Sequence, residues 1–285
     1  MFDYRRIQAI ANSATCDSQE PYAGHRAQTM KSIKHGIKAL GRQPQKLIVF
    51  GVGNANDLEI KELSTLAPEV WFADIDGETL NNTVERYRLA DKVRIWVGDA
   101  GGGVEEINRL RTAAGASPQS LEALLAELEL NLQFNSNNNP FPEKFDLVVS
   151  QCLLSQIQWA VSQTVWDWAQ ITFAVGQRLL GDGVQSPPFR QLAGVLEMLT
   201  FNHVKWLAGM LRRGGMLILN TDITWQGIPL YGTDASRIWQ YLAERHNLKG
   251  LLLTMHEEKL WQWELDERTA ATVSSTLFMK SLHSP

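Results

Sequence analysis

From residue 46 onward the chain alternates short apolar runs with helix-length amphipathic segments, and this alternation restricts the folds open to it. "KLIVFG" is followed by a helix expected over 57–66, "EVWFADID" by one over 78–89, and "KVRIWVGDA" by helices near 103–113 and 119–131. The polar loop "NSNNNPFPEK" then leads into "FDLVVSQ". Strands that are apolar throughout need cover on both faces, and strands separated by helices pair in parallel through crossovers. The expected fold class is therefore α/β, with a mostly parallel sheet and helices on both of its faces. In such sheets ligands sit at the carboxyl ends of the strands.

Other patterns flank this core. Residues 4–12 and 24–41 read as amphipathic helices, with Met30, Ile33, Ile37 and Leu40 at helical spacing and Gly41 and Pro44 closing the second. They form an N-terminal helical cap over residues 1–43, ahead of the main domain at 44–285. After the fourth strand a helical insertion spans about 153–200 and holds Trp159, Trp166, Trp168 and Phe173. A helix over 200–212 runs into "RRGGMLILNTD", where the glycines are expected to turn the chain into a buried strand. A helix near 234–247 follows, and then "GLLLTM", "KLWQWELD" and "TVSSTLFMKSL", of which the last two form an antiparallel terminal pair.

Charge and composition exclude several roles. A net charge of -4 and a pI near 5.9 give no general basic field, so no nucleic-acid partner is expected. No apolar stretch approaches the roughly 20 residues of a membrane-spanning helix. The start "MFDYRRIQAIANS" lacks the apolar core of a secretory signal, so a soluble, cytoplasmic protein without a membrane partner is expected. Cys16 and Cys152 are too few for a disulfide framework and read as free thiols. His25, His35 and His203 show no metal-ligand spacing, and no metal is expected.

The chemistry-bearing residues cluster at strand ends. "VFGVGNAND" breaks from an apolar run into Gly51 and Gly53, the signature of a strand-to-helix turn built around something small. Asp74 ends the next strand, where a carboxylate can accept from the two hydroxyls of a ribose. Asp99 ends the third and can accept from an exocyclic amine of adenine, while Ser150 and Gln151 end the fourth, beside the place of a transferred group. Each strand-end aspartate also suits a helix cap, and Asp76 in "ADIDGE" reads as the start of the next helix rather than as a ribose ligand.

In order and spacing, "VFGVGNAND", "FADIDGETL", "VGDAG", "FDLVVSQ" and "LRRGGMLIL" resemble the class I S-adenosylmethionine-dependent methyltransferases over residues 44–151 and 200–280. The resemblance implies a Rossmann-like sheet with an antiparallel C-terminal strand and S-adenosyl-L-methionine as cofactor. It places Gly51 and Gly53 along the methionine part, Asp74 with neighbouring Ile75 at the ribose, and Asp99 with Ala100 at the adenine. Asn54 touches the cofactor or merely accommodates the turn. Two departures stand out. Val49 and Phe50 occupy the place where the family often has an acidic residue, and Ala55 stands where it has a third glycine. Asp57 either replaces that missing acid near the cofactor's amino group or is a helix-terminal acid favoured by the backbone dipole. A nicotinamide enzyme is the alternative; it normally wants a third glycine, and position 56 is Asn. A non-catalytic binding protein with this fold is another.

For the acceptor, "SQCLL" after the fourth strand carries no pattern of an enzyme methylating nucleobases or amide nitrogens, and no base stands out. That favours an acceptor already nucleophilic at neutral pH, such as a carboxylate becoming a methyl ester. O-methylation of a small molecule or peptide is thus the expected reaction, with a hydroxyl or an amine as alternatives. Tyr4, Arg5, Tyr22, His25 and Arg26 of the cap lie in sequence where an arginine can pair with that carboxylate, or are ordinary cap residues. Trp159 and Trp225 suit an apolar acceptor or a packed subdomain.

Overall fold

The computed structural model describes residues 4–16, 19–100, 108, 121–134, 140–141, 143–156, 158, 162, 187–225, 228–229, 253–266 and 269–282. Its helices are α1 (Tyr4–Ala14), α2 (Ala23–Leu40), α3 (Ile60–Leu63), α4 (Gly77–Arg86), α5 (Leu121–Phe134) and α6 (Pro187–Met210). Its strands are β1 (Lys46–Phe50), β2 (Glu69–Asp74), β3 (Arg94–Val97), β4 (Phe145–Gln151), β5 (Leu211–Trp225), β6 (Ile228–Pro229), β7 (Leu253–Asp266) and β8 (Thr269–Lys280).

All eight strands join one sheet in the order β3-β2-β1-β4-β5-β8-β7, with the short β6 also on β5. Strands β1 to β5 are parallel, and β8 inserts antiparallel between β5 and β7. This is the expected Rossmann-like, mostly parallel sheet with an antiparallel C-terminal strand. The strand order reverses between β1 and β4, and a sheet of this kind opens a crevice at the carboxyl ends of the two strands flanking such a reversal.

The two-residue period of the central strands divides the core into two layers. Ile48, Phe50 and Val148 pack with Leu124, Leu128 and Leu132 of α5 and with Val195 and Leu199 of α6. Leu47, Val49 and Val149 pack with Met30 and Ile33 of α2 and with Leu80 and Val84 of α4. The second helix of the expected cap is therefore a layer of the sheet's own core. Its fit there is close: a Cβ on Gly36 would lie 2.5 Å from Cδ1 of Ile218 on β5. Gly41 ends α2 in the left-handed conformation (φ 71°) and returns its N–H to Lys38 O, as its position in the sequence suggests.

At the far end of the sheet from the crevice, the carboxylate of Asp146 on β4 is completely buried. It accepts the backbone N–H groups of Gln45 and Lys46 at 2.9 and 3.1 Å and pairs with the guanidinium groups of Arg42 and Arg212.

Several boundaries differ from the sequence expectation. The helix expected at 57–66 shrinks to four residues, because the turn after Gly53 holds the chain irregular until Ile60. The "RRGG" segment does not precede β5 but lies within it as a bulge, with Phe145 opposite Leu211, Leu147 opposite Met216, and Gly214 at φ 67°. "GLLLTM" contributes its last residues to β7, which then runs unbroken through "KLWQWELD". The helix expected over 200–212 is the end of the longer α6. The helix expected at 234–247, nearly all of that at 103–113, and most of the 153–200 insertion lie outside the described residues.

Candidate functional site

The crevice is built around the turn after β1. Gly51 has φ 79° and donates its N–H to Ala73 O on β2. A Cβ there would fall 2.5 Å from the backbone oxygen of Gln151, so the bare glycine lets the ends of β1 and β4 approach. Gly53, at φ 43°, donates its N–H to Asp74 Oδ2 at 2.8 Å, and Asp74 Oδ1 accepts from the N–H of Asp76 at 2.9 Å. Asp74 thus fixes the shape of two loops at once, and burial pushes its carboxyl up to about 6. Asp76 caps α4, accepting from Thr79 N–H at 3.1 Å, as "ADIDGE" suggests.

Helix α1 closes over this turn through amides. Asn12 donates to Asp76 Oδ2 at 2.9 Å, its backbone oxygen accepts from Asn54 at 2.5 Å, and its side chain covers the open face of Gly53. Asn56 donates to Thr15 O at 2.7 Å. A cavity of about 340 Å3 lies between α1 and α4, lined by Asn12, Ser13, Cys16, Asn54, Asp76 and Thr79 among others. That volume is in the range of small-molecule sites, and the cavity adjoins the Gly53 turn.

The third and fourth strand ends play two different roles. Ser150 turns inward, donating to His203 Nε2 at 2.9 Å, while His203 Nδ1–H donates to Ala100 O at 2.9 Å. This buried relay ties β4, α6 and the end of the β3 segment together, and Ile75 packs in the same layer with Phe50 and Ala100. Ser150 therefore supports the crevice rather than facing it; Asp99 is half-buried two residues beyond β3. Burial pushes His203 down to about 4 from 6.5. A folded-state value below the unfolded one adds stability that is present above pH 6.5 and lost as pH falls through about 4. The urea midpoint of wild type relative to a His203→Gln variant is expected to be highest near pH 7. That advantage should shrink by on the order of 3 kcal/mol on acidification to pH 4, and a pH-independent difference would rule the buried neutral imidazole out.

Gln151, by contrast, belongs to a second buried polar group. Its Oε1 accepts from Asn220 Nδ2 at 2.7 Å, and its Nε2 donates to Thr29 Oγ1 at 3.3 Å and lies 3.3 Å from His25 Nε2. Around it lie Tyr22 and His25 from the start of α2, Cys152 and Ser155 after β4, Asp222 on β5, and Trp261 and Trp263 on β7. His25 stacks on Trp263 with ring centroids 4.3 Å apart, and Tyr22 packs against the same indole at 4.7 Å. Ser155 donates to Asp222 Oδ2 at 2.7 Å, and the Cys152 thiol faces Oδ1 at 3.8 Å. Cys152 holds φ 45°, a conformation costly for a residue with a Cβ and typical of functional sites. Burial dominates the electrostatics: it pushes Asp57 up to about 7, Asp222 to about 6 and Tyr22 to about 12, raises Cys152, and pushes His25 down to about 4.

The imidazole of His25, the Asp57 carboxylate and the Cys152 thiol come within 4.8 Å of one another, a grouping their sequence spacing does not show. The Trp261 indole N–H donates to His25 Nδ1 at 3.1 Å. Nε2 faces the Gln151 amide nitrogen at 3.3 Å, nearer than Cys152 and Asp57 at 3.8 and 3.9 Å, so neighbouring side chains engage both ring nitrogens. A metal-binding imidazole uses its second nitrogen as a donor, the reverse of this arrangement. The trio as arranged does not fit a metal ion.

Of the residues singled out in the sequence, the structure gathers Gly51, Gly53, Asn54, Asp57, Asp74, Gln151, Tyr22 and His25 at the crevice. Asp57 precedes α3 by three residues, so it is not a helix-terminal acid. Arg26 is committed elsewhere: its guanidinium bonds Glu59 Oε1 at 2.9 Å, Gln19 O at 2.8 Å and Asn56 O at 2.6 Å, bracing the turn. Trp225 is described through its backbone alone, pairing with Ile228 and Ala271, and Trp159 lies outside the described residues. Asn12, Cys152, Ser155, Asn220, Asp222 and Trp261 join the site unannounced. Asp222 alone had a signal, since it ends "LILNTD" as Asp74 ends "VWFAD".

No protein-family model matches the chain, and no curated protein matches it. Similar solved structures include the N-methyltransferase NodS from Bradyrhizobium japonicum WM9, at 12% identity over 90% of this chain and 96% of that one, with a TM-score of 0.45. Another is the Haloferax volcanii complex of the Trm112 methyltransferase activator with a putative methyltransferase, at 13% identity over 98% and 99%, with a TM-score of 0.48. A third is magnesium protoporphyrin IX methyltransferase from Synechocystis PCC 6803 with bound SAH, at 11% identity over 92% and 86%, with a TM-score of 0.42. Likeness at this distance decides neither activity nor acceptor, and the function rests on the strand order and the geometry of the crevice.

Proposed function

We propose that the protein is an S-adenosyl-L-methionine-dependent methyltransferase acting on a small molecule or peptide. The observation that carries this reading is the Gly51–Gly53 turn at the strand-order reversal, braced from β2 by Asp74. The residues present fit the cofactor: a turn whose positive φ at Gly51 and Gly53 only glycine adopts easily, a carboxylate backing that turn, and an adjoining polar cavity. Bound there, the cofactor supplies a methyl group already activated on a sulfonium. Gly51, Gly53 and Asn54 would line its methionine part, Asp57 would meet its amino group, and Asp74 with Ile75, Asp99 and Ala100 would border its nucleoside. The protein's remaining work is to align the acceptor and exclude water.

The test is calorimetry with S-adenosylhomocysteine and, separately, NAD. Binding of the sulfur compound alone is expected, weakened by tenfold or more in Asp74→Ala because the Gly53 N–H loses its anchor. Binding of NAD alone would turn the reading to a nicotinamide enzyme, and binding of neither to a non-catalytic protein of this fold.

For the acceptor, methyl transfer to oxygen, in particular to a carboxylate, is the expectation from the sequence. It draws no support from Arg26, whose bonds go to the Gln19, Asn56 and Glu59 side of the turn. The buried carboxylate of Asp222, with the unpartnered Oδ1 of Asn220 two residues before it, favours the second reading, a nitrogen acceptor.

A further inference from the structure

The polar group around Gln151 is unbalanced in one direction. Asp57 lies within 4.8 Å of His25 and Cys152, and Asp222 faces the Cys152 thiol, so two carboxylates border the aromatic cluster of Tyr22, His25 and Trp263. Asn220, fully buried on the same strand as Asp222 and two residues before it, bonds Gln151 through its Nδ2, while its Oδ1 has no partner. Strand periodicity puts Asn220 and Asp222 on one face. The donors that reach Asp222 are neutral: the Ser155 hydroxyl on Oδ2 at 2.7 Å and the Cys152 thiol, a weak donor, facing Oδ1 at 3.8 Å. Among the described residues the basic side chain within the group is His25, which burial holds neutral. Buried acceptors left without donors, and buried carboxylates without a cation, are costly unless a ligand completes them.

We propose that this group is the acceptor subsite of the methyltransferase inferred above, and that it binds its acceptor as a cationic amine, which passes one N–H proton to the Asp222 carboxylate so that the freed nitrogen lone pair can take the methyl group, the C–S bonding pair leaving with sulfur as a neutral thioether. The ammonium would lie between Asp222 Oδ1 and Asn220 Oδ1, with the faces of Tyr22 and Trp261 offering cation–π contact to the same charge. Asp57, already assigned to the cofactor side of Gln151, keeps its own role. Tyr22, Trp261 and Asp57 are the partly exposed members of the group, with the Asp57 side chain 16% exposed. An anionic acceptor would meet the Asp222 carboxylate and an orphan carbonyl oxygen, both of the wrong sign.

The experiment titrates phenethylamine, putrescine, 3-phenylpropionate and 2-phenylethanol into the protein, with and without saturating S-adenosylhomocysteine, using wild type, Asp222→Asn and Trp261→Phe. At least one amine is expected to bind, and to bind tenfold or more tighter than the acid or the alcohol. Asp222→Asn should erase that preference while leaving S-adenosylhomocysteine affinity and the melting temperature of the cofactor complex within error. Trp261→Phe, which keeps a ring but loses the indole, should weaken amine binding several-fold and guards against a folding defect in the first variant. Tighter binding of phenylpropionate, amine binding indifferent to Asp222→Asn, or no amine binding at all would overturn the proposal. Failure of S-adenosylhomocysteine to bind wild type would instead overturn the methyltransferase reading, and the amine preference measured in its absence would still decide the cation site.

Discussion

Asp146→Ala should cost the fold about 2–4 kcal/mol, the scale for two backbone donors losing their acceptor. The carboxylate is wholly buried, accepts two backbone N–H groups at the start of β1, and pairs with Arg42 and Arg212, whose side chains are 41% and 36% exposed. Its removal leaves the two backbone donors unpaired at the amino end of β4, while the guanidinium groups turn to solvent. Since small domains hold only about 5–15 kcal/mol in total, the urea midpoint should fall by a large fraction of its value. Asp146→Asn, which keeps one acceptor oxygen but no charge, should fall between. Because the crevice lies at the other end of the strands, S-adenosylhomocysteine affinity of the remaining folded protein should not change. A loss below about 1 kcal/mol would mean water replaces the carboxylate at no cost, as at an exposed pair.

Gly51→Ala is the second large effect, and it acts on the site as well as on stability. A methyl group at φ 79° is strained in itself, and this one would also sit 2.5 Å from Gln151 O, a backbone atom that cannot swing away. The two penalties together are on the order of 3 kcal/mol. Relief comes only by parting β1 from β4 at their carboxyl ends, which shifts Gln151 and with it the Thr29 and Asn220 bonds. Ligand affinity should therefore fall along with the urea midpoint, in contrast to Asp146→Ala. Gly53→Ala makes the useful comparison: its Cβ would meet Asn12 Oδ1 at 3.1 Å, the movable end of a side chain on α1. A Gly51→Ala protein with unchanged midpoint and affinity would show that the close strand approach is dispensable.

What could be read from the sequence was whatever depends on local pattern. The apolar runs of β1, β2 and β4 are buried on both faces, which is why they stand out without alternation. Gly51, Gly53 and Asp74 were legible for a similar reason, since a strand end followed by glycine or an acid is a local signal. Ser150 was misplaced because a strand-end residue faces either the ligand or the neighbouring layer, and only the position of His203, 53 residues on, decides between them. The Asp222 group was illegible as a group: Tyr22, Cys152, Asp222 and Trp261 come from four segments that only the sheet order brings together. The "RRGG" bulge was hidden because Gly-Gly signals a departure from regular backbone without saying whether the strand resumes its pairing afterwards.

The close seat of Gly36 on Ile218 makes α2 a lever. Gly36 meets the sheet near the carboxyl end of the helix, while His25 sits near its other end, about 16 Å along the axis. A tilt of only a few degrees about that contact would carry the His25 ring by about 1 Å. Positions deep in the α2–β5 contact thereby govern the alignment of groups they never touch, and an apolar substitution at Gly36 is as much a change to the crevice as one made inside it.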